Sequence, residues 1–207
     1  MSVSSEHLRD SLLKYIPEDV VDDCIDWIRT HRIIVRIKKS RQSKYGDYHP
    51  PMPGQNHKIT INHDLNKYAF LITFTHEVAH LLSFNKFGHR HAPHGEEWKR
   101  EFKNLLIPLL YKNVFPEVIK HALINYLRNP AASSCSDLHL LKALNSYNVK
   151  KEGWYHLEEL EEGASFKTIN GKQFKKGPQL RKNFECFDEK NHKYFVHPLM
   201  EVMKLEE

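Results

Sequence analysis

From residue 65 to residue 84 the chain would be apolar on every side if it coiled into a helix. Leu65, Tyr68, Ala69, Phe70, Leu71, Ile72, Phe74, Val78, Ala79, Leu81, Leu82 and Phe84 leave no face for water, and a helix of that kind is buried in a protein interior. The same stretch carries His76, Glu77 and His80 in the order HExxH. Burying two imidazoles and a carboxylate is unfavourable unless they are paired or bound to a metal. A solvent-facing helix that held these residues by chance would have polar neighbours, and this one does not. The stretch therefore demands a core thick enough to enclose it and a reason for the polar side chains inside.

Spacing supplies the reason. Residues four apart lie on one helix face, so His76 and His80 can direct two imidazoles at one ion. Glu77, about 100° around the helix, reaches a water on that ion without taking a metal position itself. Zinc is the expected ion, because two neutral imidazoles and one further protein ligand leave a fourth position open, the catalytic arrangement. Glu77 would then act as general base and return the proton to the leaving amine. His89, His91 and His94 compete for the third protein position. His94 is favoured: after His80 the chain can finish the helix, turn at Gly88 and fold back. His94-Gly95 then opens a second amphipathic helix with Trp98, Phe102, Leu105 and Leu106 at helical spacing. A ligand beside a helix start is held more firmly than one in mid-loop.

HEVAHLL followed by APHGEEWKREF resembles the SprT-like metallopeptidases, relatives of the Spartan proteases, whose pattern is HExxH and then a third histidine in HGxx[FW]. His76, Glu77 and His80 match the first part; His94, Gly95 and Trp98 match the second. Arg41–Tyr48 and Lys58–Asn62 resemble the strands that precede the metal helix in that family, and the likeness spans Ile33–Leu110. It implies a zinc-dependent protease domain and, for Spartan-type members, the cleavage of proteins bound or crosslinked to DNA. Many SprT-like relatives carry a cysteine zinc ribbon further on. Here only Cys186 lies in that region, so a second zinc site is not expected.

The expected fold class is α+β: a zincin-like metalloprotease domain over residues 1–150, its HExxH helix packed on a small β-sheet, then a small β-rich appendage over 151–207. A chain of 207 residues can bury such a core. Ser4–Thr30 reads as a helix or helix pair broken near Pro17. Ile33–Ile37 reads as a strand, and His57–His63 as a second strand returning toward the metal helix. A strand at that place could bind substrate main chain by strand addition. Asp64 is the expected N-cap of the metal helix and Gly88 its stop. A helix over Gly95–Leu106 ends before Pro108. Another follows over Glu117–Arg128, with Val118, Ile119, Ala122, Leu123, Tyr126 and Leu127 facing inward, then a loop over Asn129–Ser136 and a short helix capped by Ser136 or Asp137. Beyond Gly153 the alternating stretches Ser165–Ile169, Lys172–Lys175, Phe184–Phe187 and Lys193–Val196 read as strands, with Asn170-Gly171 as a hairpin turn.

Charge bears on partners. Arg36, Lys38, Lys39, Arg41 and Lys44 form one basic patch, with Tyr45 and Tyr48 interleaved. Lys172, Lys175, Lys176, Arg181 and Lys182 form another. Each could contact a phosphate backbone; the first could equally be a solubilising edge strand. The net charge of +5 allows nucleic acid without requiring it. Three well-separated cysteines, with no visible signal peptide and no membrane-spanning run, point to a cytoplasmic protein. Two other functions stay open at this stage: a non-catalytic zinc module that binds nucleic acid or protein, and a hydrolase acting on something other than peptides. His91, Tyr45 and Tyr48 are candidates for stabilising an oxyanion.

Overall fold

Six helices and two sheets make up the residues that the computed structural model describes, 5–41, 44–90, 92–130, 137–149 and 151–205. The chain is α+β. It divides into two compact units, Met1–Asn148 and Val149–Glu207.

In the first unit, α1 (Ser5–Leu13) and α2 (Val21–Thr30) are separated by Pro17 and a 3-10 turn, Glu18–Val20. Val21, Cys24, Ile25 and Ile28 give α2 one buried stripe. β1 (Ile33–Lys38), β2 (Gly46–His49) and β3 (His57–Asn62) form a three-stranded sheet in the order β1-β3-β2. β3 runs parallel to β1 and antiparallel to β2. Both of its edges are therefore used, and it cannot add a substrate strand. The open edges belong to β1 and β2, a correction that follows from strand order.

The apolar stretch forms α3 (Lys67–Phe87), buried along most of its length. Its N-cap is Asn66, not Asp64. The Asn66 side chain accepts from the N–H groups of Tyr68 and Ala69 and donates to the Leu144 carbonyl and to Asn148. One residue thus supplies the start signal and ties this end of α3 to the sixth helix. Gly88 ends α3 at φ 61°, a conformation that glycine adopts at little cost. α4 (Glu96–Tyr111) runs straight through Pro108 instead of stopping before it. Leu106 and Leu109, buried on either side of that proline, hold the last turn against the core. α5 (Glu117–Tyr126) turns Ile119, Leu123 and Tyr126 inward, but Val118 faces solvent. α6 (Leu138–Asn145) is capped by Asp137, whose side chain accepts from Leu140 N–H. Phe70, Phe74, Trp98 and Phe102 from α3 and α4, with Ile59 and Ile61 from β3, sit at the centre of this core. The expected loop over Asn129–Ser136, including Cys135, falls mostly outside the described residues.

The second unit is a six-stranded antiparallel sheet in the order β4-β9-β5-β6-β7-β8. Its strands are β4 (Trp154–His156), β5 (Ser165–Thr168), β6 (Gln173–Leu180), β7 (Asn183–Phe187), β8 (Lys193–Val196) and β9 (Glu201–Lys204). Gly171 turns the β5–β6 hairpin at φ 82°. β6 is twice as long as its alternation suggests, because Gly177-Pro178 sits at a register shift that lets the strand continue. β4 and β9 escape pattern reading altogether, since their three and four residues make sense only as each other's partners. Leu157, Leu160, Phe166, Phe184, Cys186, Val196 and Val202 make the small core.

Candidate metal centre

His76 and His80 stand one turn apart on α3, and their Nε2 atoms are 3.2 Å apart. His94, just ahead of α4, brings its Nε2 to 3.1 Å from that of His76 and 2.9 Å from that of His80. Of the two downstream candidates among the described residues, His89 and His94, it is His94 that stands at this cluster. The His89 ring packs on Phe84 instead, and His91 lies outside the described residues. His94 reaches the cluster from a left-handed backbone, φ 59°, a conformation that non-glycine residues hold only where surroundings impose it. Gly95 follows with its N–H on the Ala92 carbonyl at 2.9 Å. A Cβ at Gly95 would meet that same oxygen at 3.0 Å.

Trp98 is the wall of the site. Fully buried, it places its ring 4.5 Å from that of His76, 4.7 Å from His94 and 5.4 Å from His80. Its indole N–H donates to the His76 carbonyl, and Phe102 stacks behind it. The helical spacing marks Trp98 as core; its contact with all three imidazoles shows only in three dimensions.

The donor set fits a metal ion. Two nitrogens each about 2.0–2.1 Å from one ion at a tetrahedral angle lie roughly 3.3 Å apart, close to the separations found here. Burial, then the neighbouring His80 and His94, hold His76 down to about 2, and burial lowers His94 as well. Neutral rings keep the lone pairs that ligation needs. Neutral rings so close together cannot supply a proton to every nitrogen pair, so the cluster is poorly satisfied by itself. Among the described residues no further His, Cys, Asp or Glu joins this group of donors.

Glu77 lies on the adjoining face of α3, buried and outside the donor group. Burial, then the charge of Asp47, pushes its carboxyl up to about 8, against a hydrogen bond from the Tyr48 backbone N–H. A divalent cation on the imidazoles would draw that value down. The edge strand β2 comes this close because residue 46 is glycine. A Cβ there would stand 2.7 Å from Thr73 Cγ2 and 3.0 Å from Glu77 Oε1. Sequence reasoning missed Gly46, although a lone glycine in a short strand signals close backbone approach.

Asp47 gathers much of the first basic patch. Burial opposes its charge, but Lys44 and Arg41, each 2.6 Å from Oδ1, hold it down to about 2. His49 is a third partner, and Arg41 also donates to Asn62. Arg41 and Lys44 are thus committed to the β2–β3 region, whereas Arg36, Lys38 and Lys39 are exposed. The Tyr48 hydroxyl is turned to His57 Nδ1 at 2.9 Å, away from an oxyanion role. In the second patch Lys172, Lys175, Arg181 and Lys182 are exposed. Lys176 is not a surface cation: it is buried, donates to the Leu160 carbonyl and lies 3.9 Å over the Phe184 ring. Cys24 and Cys186 are buried and unbridged, and burial first pushes the Cys186 thiol up to about 11. No helix among the described residues is long and apolar enough to cross a membrane.

An α+β unit whose longest helix pairs two imidazoles with a third from just ahead of the next helix, beside a buried carboxylate, has the outline of a metallopeptidase-like domain. The family model for the SprT-like family matches residues 12–121, and the chain belongs to that family. Comparisons with curated proteins and with solved structures gave no match.

Proposed function

We propose that the chain is a zinc-dependent metalloendopeptidase of zincin-like architecture, with residues 1–150 as the peptidase domain and 151–207 as a β-rich appendage. The observation that carries this reading is the convergence of three Nε2 atoms within 3.2 Å beside Glu77, a buried carboxylate outside the donor set. His76, His80 and His94 would hold the ion. When bound, zinc supplies Lewis-acid chemistry, polarising a carbonyl and making water a stronger acid. Glu77 accepts the proton of the attacking water and returns it to the leaving amine. The Tyr48 N–H orients that carboxylate, and Trp98 and Phe102 keep bulk water from the inner side of the imidazoles. Substrate main chain lies along the open edge of β2, the edge strand that reaches Glu77.

The substrate class we propose is protein held on DNA, supported by the family relationship and by the exposed cations Arg36 and Lys38 on β1, Lys39 just after it, and Lys172, Lys175, Arg181 and Lys182 in the second unit. The test is a cleavage assay on zinc-loaded protein with unfolded and DNA-bound substrates, with and without single-stranded DNA. Glu77→Gln should retain zinc and fold while losing about 10²–10⁴-fold in turnover, the contribution of a general base. Unchanged turnover overturns the mechanism. DNA binding that does not weaken with salt removes the phosphate contacts.

A further inference from the structure

Away from the metal centre, α4 and α5 enclose a groove of about 620 Å³. Lys103 Nζ reaches the Arg128 carbonyl at one end, and Lys120 Nζ donates to the Asn113 side chain at the other, so the two helices line the groove in opposite directions. Between those ends the floor is apolar. Ile107 and Tyr111, one turn apart on α4, line it together with Ile124 of α5 and Leu127 at the end of that helix. Ile107 and Ile124 are each 43% exposed and Tyr111 is 83% exposed, which is a large apolar surface to leave in water. The charged lining residues are Lys103, Lys120 and Arg128, and no acid lines the groove among the described residues. Glu117, at the start of α5, lies 3.5 Å from Lys120 and does not line the groove.

We infer that this groove docks an amphipathic helical segment of a partner protein, apolar on one face and acidic at both ends. Two packed helices present no free strand edge, so a guest cannot bind by main-chain pairing and must be read through its side chains. Helical guests dock in this way, through residues spaced i, i+3, i+4 and i+7. From Lys103 to Asn113 the groove extends about 15 Å at 1.5 Å per residue, the length of a three-turn helix. Cations at both ends with an apolar floor select a guest with flanking carboxylates. A nucleic-acid strand would need its positive charge along the whole track.

The experiment uses the full chain and a displayed library of helical peptides of roughly 16 residues, long enough for the 15 Å floor plus charged flanks. Enriched peptides should carry Asp or Glu on both sides of an apolar stripe. Their affinity should fall at least about tenfold for Ile107→Glu/Ile124→Glu and for Lys103→Glu/Arg128→Glu, as removal of buried anchors does. For the second pair, Lys-for-Glu peptides should restore binding. Both variants should keep metal content and circular dichroism unchanged, which separates lost docking from lost folding. The inference is overturned by a library that yields no enrichment or enriches peptides without acids. Peptide binding indifferent to both variants overturns it too, as does an oligonucleotide or a second copy of the chain that occupies the groove in the peptides' place. None of these outcomes bears on the peptidase reading.

Discussion

Each unit buries charge-capable side chains, and they do so differently. In the second unit Lys176 reaches the Leu160 carbonyl and lies over the Phe184 ring, so its partners come from within that unit. In the first unit three imidazoles turn their Nε2 atoms toward one another. There, His76 Nδ1 and Thr73 Oγ1 are buried without a hydrogen-bond partner. A buried polar group with its bonds made is architecture. Three imidazole nitrogens that converge on one point, where neutral rings cannot supply a proton to every pair, mark a candidate site, because natural interiors leave few polar groups poorly matched.

That contrast can be broken by substitution. The largest effect is expected at His94. His94→Ala should weaken zinc retention by more than about 100-fold, beyond the 10–100-fold typical of groups behind the ligands, as read by competition with a chromophoric chelator. Trp98→Phe, which loses the indole bond to the His76 carbonyl, should fall inside that 10–100-fold range. Gly46→Val should lower stability by about 1–3 kcal/mol through overpacking and reduce turnover more than zinc content, since the clash falls on Glu77 and Thr73. Denaturant unfolding and metal analysis of the same sample check this. Lys176→Met should cost about 1–3 kcal/mol by leaving the Leu160 carbonyl unpaired, while metal content and turnover stay unchanged.

The smallest effect concerns pH. The folded-state value of Asp47 is depressed to about 2, so its ion pairs stabilise the fold fully above the unfolded carboxyl value near 3.9. That stability is lost as pH falls from there through about 2. Wild type should lose on the order of 1–2 kcal/mol more than Asp47→Asn across that window. Parallel acid titrations of the two proteins would disprove the ion-pair account.

Local pattern disclosed much of the first unit, Gly46 excepted. The enclosed helix, its stop at Gly88, the strands at Ile33 and His57 and the preference for His94 over His89 all rest on spacing within a few residues. The misses share a different cause. Asn66 outcompetes Asp64 as a cap because it also bonds α6, some eighty positions away. β3 is central, not an edge, because strand order is set by distant pairings. Pro108 stays helical because the core on both sides of it holds the turn. Arg41, Lys44 and Lys176 read as free cations until Asp47 and the Leu160 carbonyl come into view.

The left-handed backbone at His94 has a mechanical corollary. An ion held there fastens the middle of α3 to the segment that leads into α4, like a rivet through two plates. Its grip is borrowed from the folded chain, because an unfolded one does not hold the three rings together. Zinc at 100 times its dissociation constant would add about 2.7 kcal/mol to the folded state, so a chelator should lower the melting temperature as well as silence the chemistry.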